Sequence, residues 1–127
     1  MSTMTPTQLA AVAERFKVLA EPARLRVLHA LRHGGRHVTG LVAVTGLQQA
    51  NLSRHLQQLY AHGFVVRSRQ GTFVHYAIAD PQVFALCDLI CGQIERAQGR
   101  RRANRPARRA PVATDPARRP GGAGVNR

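Results

Sequence analysis

Acidic residues are scarce in this chain of 127 residues, which has six Asp and Glu against nineteen Lys and Arg. With so few carboxylates, and with no Ser-His-Asp set, glycine-rich phosphate loop or metal triad in the sequence, we do not expect an enzyme. The net charge of +13 is instead expected of a protein that binds a polyanion. Nucleic acid is the first candidate, and an anionic membrane surface is the second.

Long apolar segments and a cysteine framework are also missing. The longest apolar run, residues 83–87, ends at Asp88 and is far shorter than the roughly 18 residues that a membrane-spanning helix needs. Residues 1–13 carry no charged side chain, so the basic start of a secretory signal is not found. Two cysteines four positions apart do not form a disulfide framework. We therefore expect a cytoplasmic protein that does not enter a membrane.

The composition of the chain changes near Gln98. Residues 98–127 contain nine Arg, four Pro, four Gly and one Asp, with almost no large apolar side chains. Such a segment cannot bury enough apolar surface to fold on its own. We predict a folded domain over residues 1–97 and a disordered basic tail over residues 98–127.

Capping residues, proline and helical spacing mark four helices in the first half of the chain. Thr5 and Glu21 are each followed by proline, a combination typical of helix starts. Thr39 is the predicted cap of a short third helix. A fourth helix begins near Gln48 and buries three leucines at helical spacing: Leu52, Leu56 and Leu59. Two short helices joined by a glycine turn indicate a helix-turn-helix.

The sequence then changes to a period of two. Residues 65–69 and 72–78 alternate in polarity around Gln70 and Gly71, as the two strands of a β-hairpin do. The helix that follows Asp80 is apolar around more of its circumference than a small monomer can bury, so we expect a partner subunit to cover the excess. The predicted fold class is mainly α with a β-hairpin wing, a winged helix-turn-helix.

The outward face of the fourth helix is polar but nearly uncharged. Amides pair with adenine and Arg pairs with guanine, so this face predicts contact with base edges in a DNA major groove. The alternative is a merely solvated face, although solvated helices more often carry Glu and Lys pairs. Stepping about 100° per residue from Leu52 places Ala50, Arg54, Gln57, Gln58 and Ala61 outward, with Asn51 and Ser53 on the flanks.

Several cationic or titratable residues have two interpretations. His55 lies at the edge of the apolar face, so it either contacts a phosphate or packs. Arg67 and Arg69 are predicted at the hairpin tip, where a wing places cations on phosphates or in a minor groove; alternatively they only protect an edge strand. Arg24 and Arg26 in the second helix are expected to be solvated.

Four motifs together resemble the ArsR/SmtB family of bacterial winged-helix repressors: LAEPARLRVL at residues 19–28, TGLQQANLSRHL at 45–56, GFV at 63–65 and GTFVHY at 71–76. The resemblance covers about residues 8–96. It implies a homodimer built on the first and last helices, a fourth helix that recognises DNA, and repression relieved by a metal, metalloid or redox signal. The family's DNA-contacting positions correspond to Gln48, Gln49, Asn51, Ser53, Arg54 and His55. Gln48 departs from the family's usual Ser or Thr and is a weaker helix cap.

The two metal sites known in the family are not retained, so any metal site of this chain is unknown. Members that bind soft metals at the third helix have Cys-Val-Cys where this chain has His37, Val38 and Thr39. Members that bind zinc on the last helix have an Asp, two His and a Glu. The corresponding residues here are Asp80, Gln82, Gln93 and Arg96, of which the two Gln and the Arg are poor zinc ligands.

Cys87 and Cys91 are the remaining effector candidates. Their i, i+4 spacing places both thiols on one helix face, which suits two ligands of one soft ion such as As(III) but not a disulfide within the helix. A third ligand would come from the partner subunit, from His29 or from His75. Alternatively, both thiols only pack in an apolar face. An oxidant or a persulfide is a further possible signal.

These observations predict a dimeric, sequence-specific DNA-binding repressor that binds an inverted repeat in double-stranded DNA and is released by a thiol-reactive, metalloid or redox effector. The alternative is a basic module that binds nucleic acid without sequence preference, with the tail as its main contact. Competition with unrelated duplex DNA distinguishes the two functions.

Overall fold

The computed structural model describes residues 3–104. The chain divides between Asp88 and Leu89 into two compact units. The order of elements is that of the predicted winged helix-turn-helix, with one additional strand. In chain order the elements are α1 (Pro6–Leu19), α2 (Pro22–Ala30), β1 (Arg36–His37), α3 (Val38–Thr45), α4 (Gln49–Ala61), β2 (Val65–Gln70), β3 (Phe73–Ile78) and α5 (Gln82–Asn104).

The first two helices begin where their capping residues predict. The Thr5 hydroxyl accepts from the Gln8 backbone N–H at 3.1 Å, and the Gln8 side chain accepts from the Thr5 N–H at 2.9 Å. This reciprocal pair is a capping box. The Glu21 carboxylate likewise accepts from a backbone N–H of the first turn of α2 at 3.2 Å.

The third helix begins earlier than predicted. Its N-cap residue is His37, which makes no side-chain cap hydrogen bond, and Thr39 already lies inside the helix. The prediction of Thr39 as the cap was wrong because the chain passes from β1 directly into α3. The extended backbone that precedes the helix is fixed by strand pairing rather than by a capping side chain.

The core of the first unit is mainly aliphatic, and α4 contributes three of its buried residues, α1 and α2 two each, and α3 one. The three leucines predicted for α4 are buried, with at most 1% of each exposed. Burial of a leucine side chain contributes roughly 1.5–3 kcal/mol, so these residues fix which face of α4 points outward. The cluster of buried residues consists of Val18, Leu19, Val27, Leu28, Leu31, Leu41, Leu52, Leu56, Leu59, Val65, Tyr76 and Phe84.

The wing is a three-stranded antiparallel sheet in the order β1-β3-β2. β2 and β3 form the predicted hairpin, in register from Val65 opposite Ile78 to Gln70 opposite Phe73. β1 pairs only two of its residues with β3. Two residues are too few to show the alternating pattern of a strand, so β1 was not predicted. The predicted two-stranded wing therefore lacked its third strand.

Gly35 allows β1 to approach β3 closely. A Cβ atom at this position would overlap the imidazole ring of His75 and lie 2.9 Å from the carbonyl oxygen of Tyr76. Any larger residue would therefore push the chain away from β3 just before the strand pairing begins.

Large apolar side chains are exposed on α1 and on the second unit. Leu9 and Phe16 of α1 are 54% and 50% exposed. Within the second unit, Leu89, Ile90 and Ile94 of α5 are also exposed. The excess apolar surface predicted for the last helix is therefore present.

The last helix passes the predicted domain boundary at residue 97 and continues to Asn104. Residues 98–104 were predicted as part of the disordered tail, but extending an existing helix needs no new nucleus. The remainder of the predicted tail, residues 105–127, lies outside the described residues. Within residues 3–104 no helix is both long and apolar enough to cross a membrane.

Candidate DNA interface

α4 presents a polar face to solvent opposite its three buried leucines. Five exposed residues of this helix form what we call the reading face: Ala50, Ser53, Arg54, Gln57 and Gln58. Arg54 is its only charged residue. The orientation of the helix is the one that the leucine spacing predicts, and contact of these side chains with DNA stays a prediction.

Gln48 and Gln49 lie exposed at the start of α4. Gln48 is the N-cap residue and has an extended backbone, with φ −68° and ψ 147°, but its side chain makes no cap hydrogen bond. The weak cap predicted for this position is therefore observed. The first backbone N–H groups of α4 therefore donate no hydrogen bond to the Gln48 side chain.

Asn51 and Arg54 form a pair across one turn of α4. Arg54 Nη2 donates to Asn51 Oδ1. The bond occupies the amide oxygen and leaves Asn51 Nδ2 as a donor, while Arg54 keeps its other N–H groups. The pairing restricts both side chains before a ligand arrives, which reduces the entropy cost of ordering them on binding.

His55 is half-buried and is held from the core side by Arg24. Arg24 Nε donates to His55 Nδ1 at 3.2 Å, and Arg24 Nη1 donates to the Val18 carbonyl at 3.3 Å. Burial, and then the positive charge of Arg24, lowers the pKa of His55. The expectation that Arg24 is simply solvated was wrong. Sequence spacing could not reveal the contact, because the two residues are 31 positions apart.

Arg67 stacks on α4 instead of extending from the hairpin tip. Its guanidinium carbon lies 4.0 Å from the centroid of the Tyr60 ring of α4. The side chain of Tyr76, its partner in the register of β2 and β3, raises the pKa of Arg67. The predicted tip position of Arg67 was wrong, because Arg67 lies within β2 opposite Tyr76 and three residues before the strand ends at Gln70. Arg69 lies one residue before that end. Tyr60 was missed because a single exposed aromatic residue on a helix carries no recognisable pattern.

Arg67 and Arg69 line an open hollow on the wing. The hollow has a volume of about 410 Å³, and its other lining residues are Ser68, Val74 and Tyr76. Guanidinium groups form strong charge-assisted hydrogen bonds with phosphate oxygens. The hollow therefore provides suitable donors for a nucleic-acid backbone.

The two cysteines have different environments. Cys87 is half-buried, and burial, with a smaller contribution from Asp88, raises the pKa of its thiol. Arg32 opposes this effect and forms a salt bridge of 3.0 Å with Asp88. Cys91 is exposed, and its Sγ lies 3.9 Å from a carboxylate oxygen of Glu95.

The histidines considered as a third ligand pack elsewhere. His29 contacts the Phe84 ring edge-on, and His75 contacts His37 in the wing. Among residues 3–104 no group of three His, Cys, Asp or Glu side chains could hold a metal ion. No such group includes His29 or His75 within these residues, and a third ligand from the partner subunit stays a prediction.

The sequence and the fold of the chain are both similar to those of known transcriptional regulators. A family model described as a bacterial regulatory protein of the arsR family matches residues 21–66, which extend from the start of α2 into β2. NmtR, an HTH-type transcriptional regulator of Mycobacterium tuberculosis, is 38% identical over 79 residues, or 62% of this chain and 66% of NmtR. The chain thus spans slightly less than two thirds of that relative.

Solved structures cover more of the chain. The antimony-specific transcriptional repressor AntR has a TM-score of 0.66 and 38% identity, covering 78% of this chain and 90% of AntR. The homodimeric winged helix-turn-helix DNA-binding domain of Mb0332 from Mycobacterium bovis has a TM-score of 0.64 and 31% identity, covering 73% of this chain and 92% of that fragment. The chain belongs to the arsR family of bacterial DNA-binding transcriptional regulators.

Proposed function

We propose that the chain is a sequence-specific repressor that acts as a homodimer on an inverted repeat. The observation that carries the proposal is the reading face of α4, which is exposed, nearly uncharged and supplied with amide and hydroxyl groups. Two such helices related by a two-fold axis enter successive major grooves about 34 Å apart.

The proposed DNA contacts come from α4 and the wing. Amide side chains pair with adenine and Arg54 pairs with guanine, while the wing arginines contact phosphates. The half-buried His55 contributes a further hydrogen bond at the edge of the helix. The complete proposed set is Gln48, Gln49, Asn51, Ser53, Arg54, His55, Gln58, Arg67 and Arg69.

The proposed dimer is supported by apolar surface that a single chain leaves exposed. Leu9 and Phe16 of α1 are half exposed, and Leu89, Ile90 and Ile94 are exposed within the second unit. Clustered exposed apolar residues are typical of an interaction surface. The homodimeric state of the Mb0332 domain supports the same assembly.

A selected DNA site tests this function. We expect the full chain to enrich an inverted repeat from a random duplex library and to keep it against excess unrelated duplex. Arg54→Ala should then relax the preference at one position per half-site by roughly 1–3 kcal/mol, because the variant cannot form a bidentate hydrogen bond with a base. Affinities for single-base variants of the site, measured by fluorescence anisotropy, give this preference.

Arg69→Ala is the matched control, since it also removes one positive charge but lies on the wing. It should weaken binding to all duplexes alike. If unrelated duplex competes as well as the selected site, the protein is instead a basic module without sequence preference. This second candidate function is favoured by the net charge of +13.

We further propose that a thiophilic metalloid or another thiol-reactive effector releases the repressor from DNA through Cys87 and Cys91. Thiolates are soft ligands that select soft ions. Cys91 is exposed and open to reagents, whereas burial keeps Cys87 largely protonated until an ion displaces the proton. AntR, the antimony-specific relative, supports this effector class.

Release assays test the effector. We expect As(III) or Sb(III) to dissociate the wild-type complex and to have no effect on Cys87→Ser or Cys91→Ser. Zn(II), Cd(II), peroxide and polysulfide serve as comparison reagents. If both variants release DNA as the wild type does, the thiols only pack. Thermal denaturation of each variant checks that the substitution has not unfolded the protein.

A further inference from the structure

Arg24 connects three helices of the first unit through one side chain. Its Nε donates to His55 Nδ1 in α4, and its Nη1 donates to the Val18 carbonyl near the end of α1. Arg24 itself lies in the first turn of α2 and is half-buried. The side chain therefore fixes the edge of the recognition helix relative to both helices that precede it.

The hydrogen bond from Arg24 determines where His55 carries its proton. An imidazole nitrogen that accepts a hydrogen bond has no proton, so a neutral ring whose Nδ1 accepts must carry its proton on Nε2. Arg24 cannot lose its own proton to reverse the direction of the bond. His55 consequently has a single donor, Nε2–H, on the side of the ring opposite Nδ1.

We propose that Arg24 is a positioning residue for DNA recognition, which holds His55 as a neutral Nε2–H donor to a phosphate oxygen of the bound duplex. The inference rests on the proposed function, because it requires that His55 contact DNA. It separates two ways in which a histidine binds a phosphate, as a neutral hydrogen-bond donor or as a cation. The geometry favours the neutral donor, since a second cation would face Arg24 at hydrogen-bond distance.

The charges around His55 set the direction of its pH dependence. Arg24 from α2 and Arg54 from its own helix oppose protonation, Glu21 before α2 favours it, and burial opposes it most strongly, so the pKa lies below the usual 6.5. Protonation of Nδ1 would abolish the bond from Arg24. The neutral ring that accepts from Arg24 is therefore the main form above pH 6.5, and it is lost only as the pH falls through the lowered pKa.

The first test compares the pH profiles of the wild type and His55→Gln on the selected DNA site. Gln supplies an N–H donor of similar reach that does not titrate. We expect the ratio of wild-type to variant affinity to stay constant between about pH 8 and pH 6.5, because a ring that is neutral in both the free and the bound protein takes up no proton on binding. A ratio that rises severalfold on acidification over this range would show that binding protonates His55, and would overturn the proposal. The other histidines are common to both proteins and cancel in the ratio.

The second test is a mutant cycle with Arg24→Gln, His55→Gln and the double variant. Arg24→Gln should lower affinity for the selected site by about tenfold, the equivalent of one hydrogen bond to a charged group. In the His55→Gln background it should lower affinity no more than Arg26→Gln. This control removes the same charge two positions along α2 and, like Arg24→Gln, one hydrogen bond to a backbone carbonyl, that of Thr45. A full tenfold decrease in that background would show that Arg24 acts independently of His55.

Nitrogen-15 NMR of the histidine rings identifies the tautomer of His55 in the free protein, without DNA. At pH 7.5 we expect His55 to be protonated on Nε2 alone in the wild type and to become a tautomer mixture in Arg24→Gln. The opposite tautomer in the wild type would overturn the proposal even if Arg24→Gln failed to fold. A wild type with no preference for the selected site would instead reject the proposed function, so the two failures are distinguishable.

Discussion

Gly35 shows how a single residue without a side chain determines whether β1 can pair with the rest of the wing. It precedes β1, and its α-carbon faces the His75 ring and the Tyr76 carbonyl of β3. The ring can rotate away, but the carbonyl belongs to the backbone of the central strand. A methyl group at this position therefore has to move β1 rather than a side chain.

We predict that Gly35→Ala destabilises the protein by roughly 1–3 kcal/mol, the usual cost of overpacking a closed site. Gly40→Ala is the matched control, because its nearest neighbouring atom, the Cβ of Arg36, is 3.9 Å away and alanine favours the helix. Urea denaturation at one fixed protein concentration measures both free energies of unfolding. Equal stability of the two variants would contradict this account of Gly35.

The start of α4 is the element whose weakness is visible in both sequence and structure. Gln48 occupies the N-cap position with a suitable extended backbone, yet its side chain makes no cap hydrogen bond. A shorter hydroxyl side chain can accept from the second or third N–H of the helix, which Gln is not suited to do. Stability is thus given up at the very position that the family resemblance assigns to DNA contact.

Gln48→Ser should therefore stabilise the protein by about 1 kcal/mol. Gln49→Ser, one residue further along, removes the same amide but lies inside the helix, where serine gains no cap. The midpoint temperature of thermal unfolding, measured at a fixed protein concentration, should rise only for Gln48→Ser. If the midpoint temperature rises similarly for both variants, removal of the amide stabilises the protein, and the new cap does not.

Elements held by local signals could be predicted from the sequence, and elements held by distant contacts could not. The starts of α1 and α2 follow from Thr5 and Glu21, and the orientation of α4 follows from its leucines. β1 exists only because β3 pairs with it from about 40 residues further along the chain.

The same distinction applies to the candidate site. The exposed face of α4 follows from a period of 3.6 residues. The position of Arg67 depends on Tyr60 and Tyr76, and the role of Arg24 depends on His55. These contacts join residues from different elements, and no pattern within one segment encodes them.

At the scale of the whole molecule, positive charge is concentrated away from the reading face. Residues 105–127 alone contain six Arg and one Asp, while the reading face contains only Arg54. Charge attracts any duplex regardless of sequence, whereas base edges are read by hydrogen bonds. The proposed function thus assigns affinity and selectivity to different parts of the chain.

Removal of residues 105–127 should weaken binding to the selected site and to unrelated duplex by the same factor. The slope of log affinity against log salt concentration should become shallower by about 0.9 for each phosphate that the shortened chain no longer neutralises. Salt titrations of the full and shortened chains on both duplexes provide the comparison. A decrease in affinity confined to the selected site would contradict a purely electrostatic tail.

The near neutrality of the reading face has an evolutionary consequence. Under the proposed function, exchanges among Gln, Asn and Ser on this side of α4 alter which bases are preferred but leave the net charge constant. The leucines that anchor the helix lie on its other side and are not disturbed by such exchanges. Descendants of this gene can therefore acquire new operators by one or two point mutations without a change in folding or in sensitivity to ionic strength.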